Sequence, residues 1–141
     1  MSNTIVTCAA CGRRNRVPDA TAGLPRCAQC QQPLPWLVNA DDATFAAATD
    51  SSLPVLVDLW APWCGPCRMV GPAVEAVTQR FAGRLKTVKV NVDEAPGVAS
   101  RFGVQGVPTL LVLDHGREAA RQVGALPAAD LERWVGAHAA A

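Results

Sequence analysis

All six cysteines of the 141-residue chain fall into three Cys-x-x-Cys pairs: Cys8/Cys11, Cys27/Cys30 and Cys64/Cys67. That one spacing admits two chemistries, and each demands a different local fold. Two thiols at the first turn of a helix can exchange electrons with a disulfide. Two thiols on a tight knuckle can instead present two ligands to one side of a metal ion. The flanking residues separate the cases. "LWAPWCGPCRMV" puts Cys64 directly after an apolar run and at the start of a helical pattern. "VTCAACGRR" and "RCAQCQQPLP" follow no buried strand and open no apolar-periodic helix.

Residues 1–32 contain both outer pairs, together with Arg13, Arg14, Arg16 and Arg26, and few apolar residues able to form a core. So short a segment needs a metal or a covalent staple to be ordered. Its pattern, Cys8-x2-Cys11-x15-Cys27-x2-Cys30, falls within the spacing of a four-thiolate zinc site, where metal binding supplies folding free energy. Two further redox disulfides or a partly disordered tail are the competing readings. Gly12 follows the first knuckle but Gln31 follows the second, at a position where knuckles favour glycine. The four arginines lack interleaved aromatics and read as a solvated face, not a nucleic-acid site. "QQPLP", with Pro33 and Pro35, reads as a short stiff connector. The chain thus divides into a zinc-binding module over 1–32 and a larger domain over 33–141.

From residue 36 onward, strand and helix patterns alternate as β-α-β-α-β-α-β-β-α, an α/β class with a mixed central sheet flanked by helices. "WLVNA" supplies an edge strand, and "DDATFAAATD" a short helix capped by Asp41 or Asp42. "PVLVDLW" reads as a buried central strand. The helix opening at Cys64 carries Val70, Val74, Val77 and Phe81 on one face, and Pro72 inside it should kink it. "LKTVKVNVD" follows as a strand and "APGVASRFG" as a short helix. "PTLLVLD", the turn "HG" and "REAARQVG" form a hairpin, and "PAADLERWVGAHA" closes the chain as a helix.

At a helix start, unpaired backbone N–H groups and the positive end of the helix dipole favour a thiolate on Cys64. Cys67 lies one turn inside, close enough to attack a mixed disulfide formed on Cys64. Gly65 permits the tight turn, and Pro66 sets φ where no amide donor is needed. Asp58 stands in an apolar strand, which is costly for a carboxylate unless its pKa rises; a raised pKa suits proton exchange near neutrality. The competing reading pairs Asp58 only with Lys89. Trp60 reads as core packing, whereas Trp63, between a proline and Cys64, reads as a substrate-facing wall. His115 reads as a loop residue and His138 as part of a frayed tail, so neither is nominated as a ligand.

"WAPWCGPC" resembles the active-site signature of the thioredoxin family, and the similarity extends over about residues 36–141. The resemblance implies a thioredoxin fold and a protein-disulfide reductase activity through a Cys64–Cys67 dithiol/disulfide. It implies that Asp58 assists proton transfer at Cys67 and that Lys89 lies near it. It further implies a cis peptide at Pro108 in "GVPT", and substrate contacts from Trp63, Gly65, Pro66, Val107, Pro108 and Gly124. Arg68 stands where many members have lysine. The implied partners are disulfide-containing proteins and an NADPH-dependent thioredoxin reductase. A four-cysteine module ahead of such a domain is similar to the zinc-containing branch of the bacterial family, so one Zn2+ on Cys8, Cys11, Cys27 and Cys30 is expected. An oxidant or isomerase on the same fold, or a zinc-dependent redox-sensing or binding module, are the alternatives; the Gly-Pro dipeptide favours reduction.

A net charge of +1 supplies no electrostatic reason to expect nucleic acid or membrane as partner. Half the residues are hydrophobic and 18% are charged, which argues against disorder. No apolar run is long enough to span a bilayer, and the first residues lack a basic segment followed by a long apolar one. A cytoplasmic location follows as the expectation, and there paired cysteines serve metal or redox chemistry more often than permanent cross-links.

Overall fold

The structure, a computed structural model, describes residues 3–18 and 24–140. Strands β1 (Asn3–Thr7) and β2 (Arg14–Pro18) pair antiparallel as a separate two-stranded sheet. The main sheet holds β3 (Trp36–Ala40), β4 (Val55–Trp60), β5 (Lys86–Asn91), β6 (Thr109–Asp114) and β7 (Arg117–Val123) in the order β3-β5-β4-β6-β7. β3, β5 and β4 run parallel; β6 and β7 are added antiparallel. Four helices complete it: α1 (Phe45–Thr49), α2 (Gly65–Arg80), α3 (Pro96–Arg101) and α4 (Ala128–Gly136). The anticipated element order, the central place of "VLVDLW" and the edge place of "WLVNA" all hold.

The period of two along β4 decides which residues meet which helices. Leu56 packs with Val70, Val74 and Val77 of α2 and with Leu131 and Val135 of α4. Val55, Val57 and Leu59 turn to the opposite face, toward Phe45 and Val98. Asp58 therefore shares the α2 side with Leu56. At the β6–β7 turn both His115 and Gly116 have positive φ (50° and 81°), the handedness that matches strand twist.

Several local details differ from the sequence reading. The β1–β2 hairpin was not anticipated, although β2 alternates exposed Arg14 and Arg16 with buried Asn15 and Val17. The Pro33–Pro35 connector is folded in: Pro33 bridges to Arg26, the Leu34 amide donates to the Pro25 carbonyl at 2.9 Å, and Leu34 is buried. Cys8, Cys27, Val17, Leu34 and Trp36 pack in one cluster with the main sheet, and the Trp36 indole donates to the Pro18 carbonyl at 3.1 Å. Both candidate caps are used, but by different helices. Asp41 accepts from the Ala43 and Thr44 amides ahead of α1, while Asp42 accepts from the Gly97 and Val98 amides of α3.

Candidate active site and candidate metal centre

Cys64 is the N-cap of α2, and its sulfur accepts a hydrogen bond from the Cys67 amide at 3.2 Å. A sulfur thus does the work usually done by a Ser or Asp oxygen, satisfying one of the orphan amides of the helix start. Cys64 and Cys67 are joined as a disulfide with their Cα atoms 5.3 Å apart. Three expected contact residues converge on this point. The Cys64 sulfur lies 3.6 Å from the Val107 carbonyl oxygen, the Val107–Pro108 peptide is cis, and the Gly124 amide donates to the Pro108 carbonyl at 2.9 Å. Trp63 is 68% exposed, and its indole N–H donates to both carboxylate oxygens of Asp93 at 3.1 and 3.3 Å. Asp93 carries no signal in the sequence beyond being an acid just after a strand. The Arg68 guanidinium donates to the Pro62 carbonyl at 3.3 Å, pinning the loop before Cys64.

Behind Cys67 lies a cavity of about 330 Å³ whose walls include Asp58, Trp60, Glu75 and Lys89. Asp58 is 2% exposed, and burial pushes its carboxyl up to about 6, with the Lys89 charge pulling the other way. Lys89 is the register partner of Asp58 across the β4–β5 pair, yet its ammonium sits 5.6 Å over the Trp60 ring and closes no ion pair with the carboxylate. One Asp58 oxygen and the Trp60 indole nitrogen are buried without hydrogen-bond partners. Trp60, expected in the core, is half-buried against the disulfide. The arrangement leaves a protonatable carboxylate facing a cavity that Cys67 also lines.

The outer pairs form two matched knuckles. In the first, the Cys8 amide donates to the Arg13 carbonyl and the Gly12 amide to the Cys8 carbonyl; in the second, the Cys27 amide donates to Gln32 and the Gln31 amide to Cys27. Gly12 and Gln31 both have positive φ, 79° and 65°. The second knuckle therefore adopts the glycine-type turn with a glutamine in it. The Cys8 and Cys30 sulfurs are 3.6 Å apart, those of Cys11 and Cys27 3.4 Å, and all four lie within 4.8 Å of one another. A tetrahedral zinc with Zn–S bonds of about 2.3 Å spaces its sulfurs roughly 3.8 Å apart, so the four thiols fit such an ion. Backbone N–H groups point at the sulfurs as well: the Cys30 amide, foremost, helps hold the Cys27 thiol down to about 6.

A disulfide capping a helix of a mixed sheet, with a cis-proline loop across from it and a carboxylic acid behind it, defines a thiol–disulfide oxidoreductase, here a protein-disulfide reductase working through Cys64 and Cys67. Residues 36–137 match the family model of thioredoxin. Over 98 residues the chain is 48% identical to thioredoxin 1 of a Nostoc species, covering 69% of this chain and 92% of that protein. It is 42% identical to a thioredoxin of Haemophilus influenzae over 103 residues, covering 72% and 96%. It is 43% identical to the chloroplastic M-type thioredoxin of Chlamydomonas reinhardtii over 95 residues, covering 67% and 68%. The chain belongs to the thioredoxin family. Membership implies disulfide-containing proteins as its substrates. No helix among the described residues is long and apolar enough to cross a membrane.

Proposed function

We propose that this chain is a zinc-containing thioredoxin of the bacterial thioredoxin 2 type, a cytoplasmic reductase in which residues 1–32 form a metal-stabilised module and residues 33–141 carry the redox chemistry. The observation that carries this reading is the contrast between a disulfide capping α2 and four thiols gathered on two knuckles. In the reduced protein the Cys64 thiolate attacks a substrate disulfide, forming a mixed disulfide and releasing one substrate sulfur, which takes up a proton. Cys67 then loses its proton and attacks the Cys64 sulfur. The second substrate sulfur leaves with a proton, and two electrons have passed from the Cys64/Cys67 pair to the substrate. Asp58, neutral below about pH 6 and ionised above it, accepts the Cys67 proton through the cavity they share. Lys89 biases that carboxylate toward ionisation. Trp63, Val107, Pro108 and Gly124 form the wall against which substrate backbone docks, with Gly65 and Pro66 shaping the turn between the cysteines.

A second dithiol donor, an NADPH-dependent thioredoxin reductase, returns the electrons. Cys8, Cys11, Cys27 and Cys30 would hold one zinc ion, whose contribution is to cross-link the module. The test is an insulin disulfide-reduction assay driven by NADPH and that reductase, with metal quantified in the same sample. One equivalent of zinc together with turnover is expected; turnover without stoichiometric metal would remove the zinc half of the reading.

A further inference from the structure

Seven residues after Cys8 stands Asn15, and seven residues after Cys27 stands Leu34. The two knuckles are otherwise matched bond for bond, so this is where their symmetry breaks. Leu34 simply packs into the core. Asn15 is only 7% exposed, and an amide there is costly unless its donors and its acceptor are used. They are used. Its Nδ2 donates to the Arg13 carbonyl at 3.0 Å and to the Cys27 sulfur at 3.6 Å, and its Oδ1 accepts from the Ala28 amide at 3.0 Å. One side chain of β2 thereby ties the first knuckle to both the backbone and the sulfur of the second. Among the described residues no other side-chain N–H reaches a cysteine sulfur.

We infer that Asn15 is a positioning residue of the four-cysteine centre, holding the two knuckles in register and making Cys27 the least reactive of the four ligands. The inference rests on the reading that this cluster holds a metal. An N–H donor draws charge off a metal-bound thiolate, so that sulfur becomes a poorer target for protons and electrophiles. Ligand exchange then starts at Cys8, Cys11 or Cys30, whose sulfurs have no such side-chain partner. Removing groups that orient and tune metal ligands typically changes metal affinity by about 10- to 100-fold.

The test uses the full chain. Asn15→Asp keeps the acceptor for Ala28 and loses the donors to the Arg13 carbonyl and the Cys27 sulfur; Asn15→Ala loses all three bonds. Arg26→Ala serves as control, because it removes a bond from Arg26 to the Gln31 carbonyl in the same knuckle without touching a sulfur. Zn2+ transfer to a colorimetric chelator and the thiolate-to-Co2+ charge-transfer spectrum are measured for each. Asn15→Asp should release Zn2+ about 10- to 100-fold faster and shift the Co2+ band, while Arg26→Ala matches the parent on both. If Asn15→Ala loses the metal outright, Asn15→Asp decides. An Asn15→Asp protein with the parent's rate and spectrum, or an Arg26→Ala protein changed just as much, would overturn the inference. Failure of the parent itself to take up Co2+ would instead overturn the metal reading.

Discussion

The same Cys-x-x-Cys spacing occurs three times in two kinds of surroundings, and those surroundings decide what it does. At Cys64 the chain leaves a buried strand and enters a sixteen-residue helix, so Cys64 and Cys67 sit one turn apart on a rigid element. At Cys8 and Cys27 the chain folds back on itself, each cysteine amide bonding a carbonyl five residues on, and no helix follows. The first geometry brings two sulfurs of one pair into bonding contact. The second gathers the sulfurs of both pairs within 4.8 Å, with Cys8 3.6 Å from Cys30 and Cys11 3.4 Å from Cys27. Spacing fixes which thiols are neighbours in sequence; the element beneath them fixes which are neighbours in space.

The contrast can be broken most severely at Cys64. Cys64→Ser should abolish insulin reduction, while Cys67→Ser should trap substrates as mixed disulfides that survive non-reducing electrophoresis. Adducts on Cys64→Ser but not on Cys67→Ser would reverse the roles. Cys8→Ser should leave turnover largely intact, because its sulfur belongs to the other cluster.

Metal removal comes next in size, since structural zinc contributes on the order of 10 kcal/mol of apparent binding free energy in isolated modules. Chelation should erase the amide NMR dispersion of the β1–β2 hairpin while the main sheet persists. A fragment of residues 33–141 should fold and reduce disulfides with a lowered Tm, because Leu34 and Trp36 lose the cover of Cys8, Val17 and Cys27. A fragment unable to fold would make the amino-terminal segment part of the core that the active site needs.

Asp58→Asn should act in opposite directions on activity and stability. A carboxyl raised from 3.8 to about 6 favours the folded state below the lower value and loses that contribution as pH rises through the higher one. Above pH 6 the variant should therefore be more stable than the parent by roughly 3 kcal/mol, the difference vanishing below about pH 4. Turnover near neutrality should fall by about a hundredfold, the lower end of what a positioned general base contributes. Equal urea midpoints at pH 4 and pH 8 would show that Asp58 carries no burial cost.

The smallest effect separates the two knuckles. Gln31→Gly should stabilise the metal-loaded protein by about 1 kcal/mol, because φ of 65° is strained for any side chain, and Gly12→Ala should cost about the same. Nothing lies within 4 Å of a Cβ built at Gly12, so backbone conformation alone sets that cost. Thermal melts with zinc in excess would detect both changes.

The main domain could be read from its sequence because its signals are local and strong: a β-branched apolar strand, a 3.6-residue stripe on α2, and His-Gly at a tight turn. The cysteine clusters were legible from spacing and flanks. The β1–β2 hairpin was not, because the arginines of β2 mask an alternation whose buried members are an asparagine and a valine. Asn15, Asp93 and the long-range cap from Asp42 to α3 depend on contacts between distant segments, which no local pattern encodes. The burial of Leu34 has the same origin: a connector flanked by prolines looks exposed until another element packs on it.

If one pair transfers electrons and the other two hold a metal, timed alkylation must separate the six thiols into two classes. The reduced, native, full-length protein is treated with iodoacetamide and each cysteine is mapped by mass spectrometry, before and after chelation. The prediction is rapid labelling at Cys64, protection of Cys8, Cys11, Cys27 and Cys30, one zinc per chain, and exposure of those four only when the zinc is withdrawn. Labelling of all six cysteines at similar rates in the untreated protein, with no metal present, would contradict it.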